Sequence, residues 1–499
     1  MSVGGSFDYI VVGGGAAGCI VAARLAESGR STVLLVEAGR SDVGDGKALQ
    51  MSRLEEQDAS YDWGYAAETV AGSGNRIAYA RARMLGGCAN HNDCAFIAPH
   101  PSDLSRWQAL GAKGWGPDGM RAALARVEQR IGIEPSPPGN ALSRAFIDAG
   151  LELGLPERNF REGAAAGTGW FPLNAKGDFR QSSSVAYVHP LIGSQDKIRV
   201  LTECLVTGLT FDGNSVTGIE TARGSFSARR EVILCAGSIN TPQLMMLSGL
   251  GPAEQLRRLG IGVRADMPGV GNNLVDHVSA NIAFELKAPP PSWERTPCES
   301  TLLLQVDADA PAPDVLFHFI LRLREKYVGR TQFAGVEHGV KFSPNVARPK
   351  SKGHLTLSSS DPHDLPKISL NYLSDPEGYD RRILLAGLRF ARRLAATAAL
   401  APWLEREVAP GTGVQSDDDL FAYVRETCET VYHPSGTCRM GDAADPLSVV
   451  TPDLKVKGIA GLRVADASVF PDMVTVNINN TVMMVAEQAA LLIERQNAV

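Results

Sequence analysis

Two side chains able to move a proton and hold an oxygen stand near the end of the chain. One is His433, in Thr430-Val431-Tyr432-His433-Pro434-Ser435-Gly436-Thr437, and the other is Asn477, the first of the amides Asn477, Asn479 and Asn480. An imidazole, with an ordinary pKa of ~6.5, exchanges protons near neutral pH. A carboxamide orients a hydroxyl without titrating. Far upstream lies Gly13-x-Gly15-x-x-Gly18, a spacing suited to a nucleotide cofactor. A cofactor loop, a proton carrier and an amide, gathered by folding, would suit redox chemistry on an alcohol.

The glycine loop has the right context. It follows the apolar run Tyr9-Ile10-Val11-Val12, opens the helical pattern Cys19 to Ser28, and precedes a second strand pattern, Thr32 to Glu37. Glycines there allow a tight turn and a close approach of pyrophosphate to a helix N-terminus, while Glu37 is placed to accept hydrogen bonds from a ribose. An acid at that point disfavours a 2′-phosphate, but the pattern alone does not separate FAD from NAD. A second loop, Arg81-Ala82-Arg83-Met84-Leu85-Gly86-Gly87-Cys88-Ala89-Asn90-His91-Asn92-Asp93, is dense in hydrogen-bonding groups and can approach a cofactor closely at its glycines. A third segment, Ala236 to Leu244, is a strand-to-helix junction in which Pro242 suits the helix start.

These groups need a large scaffold. At 499 residues the chain predicts two or three domains of ~100 to 200 residues each. The βαβ opening, the β-rich stretch Ile198 to Thr221, the strand pattern Glu231 to Cys235 and a last one at Leu462 to Asp466 predict a discontinuous cofactor domain of residues 1–145, 195–280 and 440–499. Residues 146–194 and 281–439, with the Pro-rich stretches Ala288 to Pro291 and Ala310 to Pro313, form the expected substrate domain. Sheet segments are expected there at Val315 to Ile320 and His354 to Leu357.

Composition excludes several classes. Hydrophobic content of 44% and charged content of 21% are ordinary for a globular protein. A net charge of −6 gives no basic footprint for nucleic acid. No apolar run reaches the ~20 residues needed to span a bilayer, and Met1 to Ser6 does not read as a signal peptide. Eight cysteines without CxxC spacing read as reduced thiols of a cytoplasmic protein, and no metal-ligand set is identified.

With its motifs in this order, the chain resembles the glucose-methanol-choline (GMC) family of flavin oxidoreductases over nearly its whole length. The resemblance rests on the Gly13 loop with Glu37, the Arg83 to Asn92 loop, the Ala236 to Gly249 segment ending Met246-Leu247-Ser248-Gly249, and the motifs around His433 and Asn477. It implies an α/β fold: a Rossmann-like FAD-binding domain with a discontinuous α+β substrate domain built on an antiparallel sheet. It also implies FAD-dependent oxidation of an alcohol to an aldehyde or ketone by hydride transfer to flavin, with His433 as acid/base and Asn477 as its partner. Implied cofactor contacts are Gly13, Gly15, Gly18, Glu37, Arg83, Gly87, His91, Asn92 and Asp466, with His91 matching a histidine bonded covalently to the flavin.

Tyr61-Asp62-Trp63, Gly86-Gly87-Cys88, His91-Asn92 and Thr430 to Pro434 resemble the choline-oxidising branch in particular. There Trp63 and Tyr432 match a substrate cage, and Glu299 falls where a carboxylate faces the substrate cation. The chain departs from that branch at Asp93 (a serine there), at Ile478 (the proline of an Asn-Pro-Asn motif) and at Pro297-Cys298 (two tryptophans). Cation–π recognition needs aromatic faces, so these changes alter any cage for a quaternary ammonium and make Asp93 a candidate contact for a cationic or polyhydroxy substrate. The implied partners are a small-molecule alcohol and dioxygen or another electron acceptor, with a homodimer compatible with the sequence. The alternative within the family is an FAD-containing hydroxynitrile lyase, where His433 would only cleave a cyanohydrin by acid–base chemistry.

Overall fold

The structure is a computed structural model that describes residues 4–135, 140–193, 197–293, 295–323, 333 and 335–496; the expected domain border at 194/195 lies outside these. A parallel sheet orders the strands Ile198–Leu201, Val33–Val36, Ser6–Val12 and Gly224–Leu234, with Leu462–Val464 also beside Gly224–Leu234. Val33–Val36 is buried at every residue. Such continuous apolar runs, rather than alternating ones, suit strands covered on both faces. Ser215–Thr221 and Val206–Asp212 extend the sheet antiparallel at one edge.

The helix Ala16–Glu27 opens at the glycine loop and is buried along most of its length, Cys19, Ile20 and Val21 included. The C-terminal helix Ile478–Gln496 packs against it. Buried Glu487 of that helix pairs with Arg24 at 2.7 Å and Arg126 at 3.2 Å, and accepts from Tyr187 Oη at 2.7 Å. The docked helix therefore carries Asn477, just before its first turn, to the cofactor loop.

A second sheet is antiparallel: Leu404–Ala409, Ile282–Leu286, Gly339–Val346, Val315–Ile320, Ser300–Leu304 and Gly167–Trp170, with Val278–Ser279 and Glu429–Thr430 at its side. His354–Thr356 is a strand as expected, but it belongs to a separate four-stranded sheet. There His354–Thr356 and Lys367–Ser369 join Ala66–Glu68 and Arg76–Ala78, so this sheet ties the two predicted domains together. No helix among the described residues is long and apolar enough to cross a membrane.

Pro242 does not start its helix. The helix spans Gly237–Leu247 with Pro242 inside it. A proline there lacks the N–H that would bond the Ser238 carbonyl one turn back. Thr437 Oγ1 donates to that carbonyl instead, at 2.7 Å, and Ser238 Oγ donates to Pro434 O at 2.8 Å. The helix can hold proline because the His433 segment supplies the missing donor. Thr437 is fully buried. Replacing it with valine should lower unfolding free energy in urea by about 1–3 kcal/mol, the cost of an unpartnered buried carbonyl. Unchanged stability would show that the carbonyl finds another donor.

Candidate active site

Between the two sheets lies a cavity of about 760 Å³. Of the residues expected to act, Gly13, Gly15, Glu37, Gly87, His91, Asn92, Asp466, Trp63, Asp93, Tyr432, His433 and Asn477 line it, whereas Gly18, Arg83 and Glu299 do not.

At one end the backbone has no room for side chains. A Cβ on Gly18 would sit 1.8 Å from Gly13 O, so Gly18 serves by allowing the helix to close on the loop rather than by facing the cavity. Gly87, at φ +54°, would place a Cβ 2.7 Å from Gly15 Cα, so the second loop presses directly on the first. Glu37 accepts from Gly14 N at 2.8 Å and Gly39 N at 2.7 Å, which leaves lone pairs for ribose hydroxyls. Burial pushes its pKa up to about 7 against those two bonds. Asp466 accepts from Gly237 N, Thr241 Oγ1, Ser468 N and Ser468 Oγ. It is therefore first a clamp on the helix Gly237–Leu247. Arg83 acts at one remove, its guanidinium stacked 4.9 Å over the Trp63 ring.

At the start of the C-terminal helix, Asn479 Nδ2 and Asn477 Oδ1 are buried polar atoms that lack a hydrogen-bond partner among the described residues, on residues that line the cavity. A glycine cradle, a carboxylate and orphaned amide atoms in one cavity fit a flavin dinucleotide.

His91 Nδ1 is 2.8 Å from Gln57 Oε1. Gln57 Nε2 donates to Lys47 O at 2.9 Å and Asn90 O at 3.0 Å, which fixes the amide with its oxygen toward His91. His91 Nδ1–H is thus the donor, and a neutral ring keeps its lone pair on Nε2. Asn92 shapes the turn, its Oδ1 accepting from Cys94 N at 3.0 Å. Asp93 Oδ1 accepts from Thr296 Oγ1 at 2.7 Å.

The His433 loop is held from behind. Asp276, 3% exposed, accepts from Tyr79 Oη at 2.9 Å, Tyr372 Oη at 2.6 Å and Thr430 Oγ1 at 2.6 Å, and its other oxygen accepts from His433 N at 2.8 Å. Tyr432 sits at φ +65°, an uncommon backbone state for a bulky residue, with N bonded to Thr430 Oγ1 and O to Arg81 Nη2. His433 Nδ1 is 2.8 Å from His277 Nδ1. Its Nε2 is 3.3 Å from Asn477 Nδ2, which is also 3.3 Å from His318 Nε2. Asn345 Nδ2 donates to Leu316 O at 2.6 Å and lies 3.1 Å from His318 Nδ1. Amide nitrogens therefore face both ring nitrogens of His318, and a neutral imidazole accepts at one of them.

Glu299 is misplaced by sequence reasoning. It is 2% exposed and accepts from Ser143 Oγ at 3.1 Å, outside the cavity wall. It immediately precedes the strand Ser300–Leu304, and its neighbours Pro297 and Cys298 line the cavity instead. The sequence reading missed Gln57, Asp276, His277 and His318. An Asp-His pair inside the apolar run Leu274 to Val278 was a usable signal, since buried charges need partners. His318 was read only as part of a strand.

Residues 7–279 and 349–486 match the two family models described as GMC oxidoreductase. Choline oxidase of Arthrobacter globiformis is 40% identical over 520 aligned positions, covering 99% of this chain and 95% of its own. The mitochondrial choline dehydrogenase of Homo sapiens is 33% identical, with 99% and 90% covered. Pyridoxine 4-oxidase from Mesorbium loti superposes with a TM-score of 0.88 at 29% identity, over 98% of this chain and 99% of that one.

Glu37 makes the cofactor end sensitive to pH. Its folded pKa of about 7 exceeds the ordinary 4.5, so the unfolded chain gives up this proton first and the apoprotein loses stability as pH rises from ~4.5 to ~7. Thermal unfolding across that range should show the loss in the native apoprotein and a smaller one in Glu37→Gln. Equal slopes would rule out the carboxyl as its source.

Proposed function

The chain belongs to the GMC oxidoreductase family, and we propose that His433 Nε2 is the base that takes the hydroxyl proton of its alcohol substrate. The protein is an FAD-dependent oxidoreductase acting on alcohols. FAD, when bound, supplies the hydride acceptor; Gly13, Gly15, Gly87, Glu37 and the start of the C-terminal helix would hold it. The observation that carries the reading is the convergence of three nitrogens on one side of the cavity: His433 Nε2, Asn477 Nδ2 and His318 Nε2.

As His433 Nε2 takes the proton, negative charge grows on the substrate oxygen. Asn477 Nδ2–H donates toward it, in a buried setting where such bonds are strong. The developing alkoxide weakens the adjacent C–H bond, and an aldehyde or ketone is left. No observation favours the lyase alternative.

The substrate is a small alcohol, and we assign Asp93 the contact with its distal group. Lys341 and Arg322, the cations on the substrate-domain wall, are paired with Glu429 and Glu55. The Asp93 carboxylate has no ion-pair partner among the described residues and suits a cationic or hydroxylated group. With Glu299 withdrawn and Pro297-Cys298 on the wall, choline recognition of the caged kind is disfavoured. Eight cysteines without a disulfide accord with a cytoplasmic setting.

Anaerobic mixing with choline, pyridoxine, benzyl alcohol and mandelonitrile tests this reading. Alcohols should bleach the flavin, pyridoxine with its further hydroxyls at lower concentrations than benzyl alcohol, and admitting air then shows whether dioxygen is the acceptor. His433→Ala should keep its flavin but reduce it about 10²–10⁴-fold more slowly. Unchanged bleaching would refute the base; cyanide release without bleaching would favour a lyase.

We also assign His91 Nε2 a covalent bond to the flavin, because Gln57 keeps that atom bare. Flavin fluorescence should stay with the denatured polypeptide in an SDS gel, and Gln57→Leu should lower the bound fraction several-fold. Complete release from the native protein would remove the assignment.

A further inference from the structure

The ring of His277 lies fully buried behind that of His433, edge to face, with centroids 5.0 Å apart and planes at 83°. Its Nε2 is 2.9 Å from both Ala347 O and Val474 O. Carbonyl oxygens only accept, so that nitrogen must carry a proton. Burial lowers the pKa of the ring below its ordinary value, outweighing the neighbouring Asp276 charge, so the ring is neutral. A neutral imidazole protonated at Nε2 has a bare Nδ1. That atom faces His433 Nδ1 at 2.8 Å, so the proton between them belongs to His433.

We propose that His277 is a positioning residue that keeps the His433 proton on Nδ1 and so presents Nε2 bare to the substrate hydroxyl. The assignment rests on His433 being the base. Asp276 cannot perform this task, because its contacts go to the His433 main-chain N–H and to three hydroxyls rather than to the ring.

During turnover the substrate O–H bond breaks and a new N–H bond forms on His433 Nε2. The ring then carries a positive charge, and its Nδ1–H remains donated to the His277 lone pair. No proton needs to reach His277 in that step. The same contact thus selects the reactive tautomer before transfer and stabilises the imidazolium after it.

Glutamine separates this role from simple packing. In His277→Gln, Oε1 can accept from His433 Nδ1–H while Nε2 donates to the two carbonyls; His277→Leu fills the space and offers no acceptor. With the panel alcohol that bleaches the native holoenzyme fastest, His277→Leu should slow the limiting rate of anaerobic flavin reduction about 100-fold. His277→Gln should stay within about tenfold of native, and both should retain their flavin.

Nitrogen-15 NMR of histidine-labelled holoenzyme, with His433 assigned by its loss in His433→Asn, gives a readout independent of turnover. Native and His277→Gln enzyme should show His433 protonated at Nδ1 and bare at Nε2, whereas His277→Leu should shift the proton toward Nε2. A native His433 bare at Nδ1, a His277→Leu enzyme as fast as native, or a folded His277→Gln slowed about 100-fold would each overturn the proposal. If His433→Ala reduces its flavin at the native rate, the base assignment itself fails, and the NMR result still decides whether His277 holds the proton. Should His277→Leu not fold, the native spectrum and the glutamine variant decide.

Discussion

One buried carboxylate, Asp276, organises the site around it. Four donors converge on its two oxygens, from Tyr79, Tyr372, Thr430 and the backbone of His433. Removing a charge-bearing acceptor from such a network would leave several buried donors unmet, each costing about 1–3 kcal/mol. The network also fixes direction. Val275 and Ser435 exchange backbone hydrogen bonds at 3.0 and 2.9 Å, and Val278 pairs with Thr430, so Asp276 and His277 are clamped along the strand of chain that leads to His433. Asp276 grips the main chain of that loop while His277 meets its ring.

The rest of the fold can be understood as bringing distant segments to this clamp. Glu487 ties the first and last helices through Arg24, Arg126 and Tyr187, and that docking brings Asn477 beside the cofactor loop. Buried ion pairs of this kind add little net stability but make one alignment of the helices far better than its neighbours. The antiparallel sheet contributes His318 from Val315–Ile320, and Asn345 on the adjacent strand lies against its Nδ1. Two rings in this cavity, those of His91 and His433, each owe their protonation pattern to a partner bonded to main-chain carbonyls.

Parts of this were legible in the sequence because local geometry leaves no choice. Gly18 admits no Cβ, and Gly87 faces Gly15 at a distance only glycine permits, so the loop reads from its spacing. The parallel strands read from unbroken apolar runs. What stayed hidden depends on partners far along the chain. Pro242 looked like a helix start because nothing local reveals that Thr437 supplies the missing donor. His277 shows its role only when Ala347 O, Val474 O and His433 are seen around one ring. Glu299 was misplaced because which residues reach the cavity just before the strand Ser300–Leu304, here Pro297 and Cys298, is set by the path of the chain and not by residue type.

The central claim is that a carboxylate–histidine clamp delivers His433 to the cavity with a bare Nε2. Neutron diffraction from a deuterium-exchanged crystal of the oxidised holoenzyme, at a pH where the enzyme is active, locates that proton directly. The clamp requires a deuteron on His433 Nδ1, directed at His277 Nδ1, and none on His433 Nε2. A deuteron on Nε2, with Nδ1 bare, would contradict it.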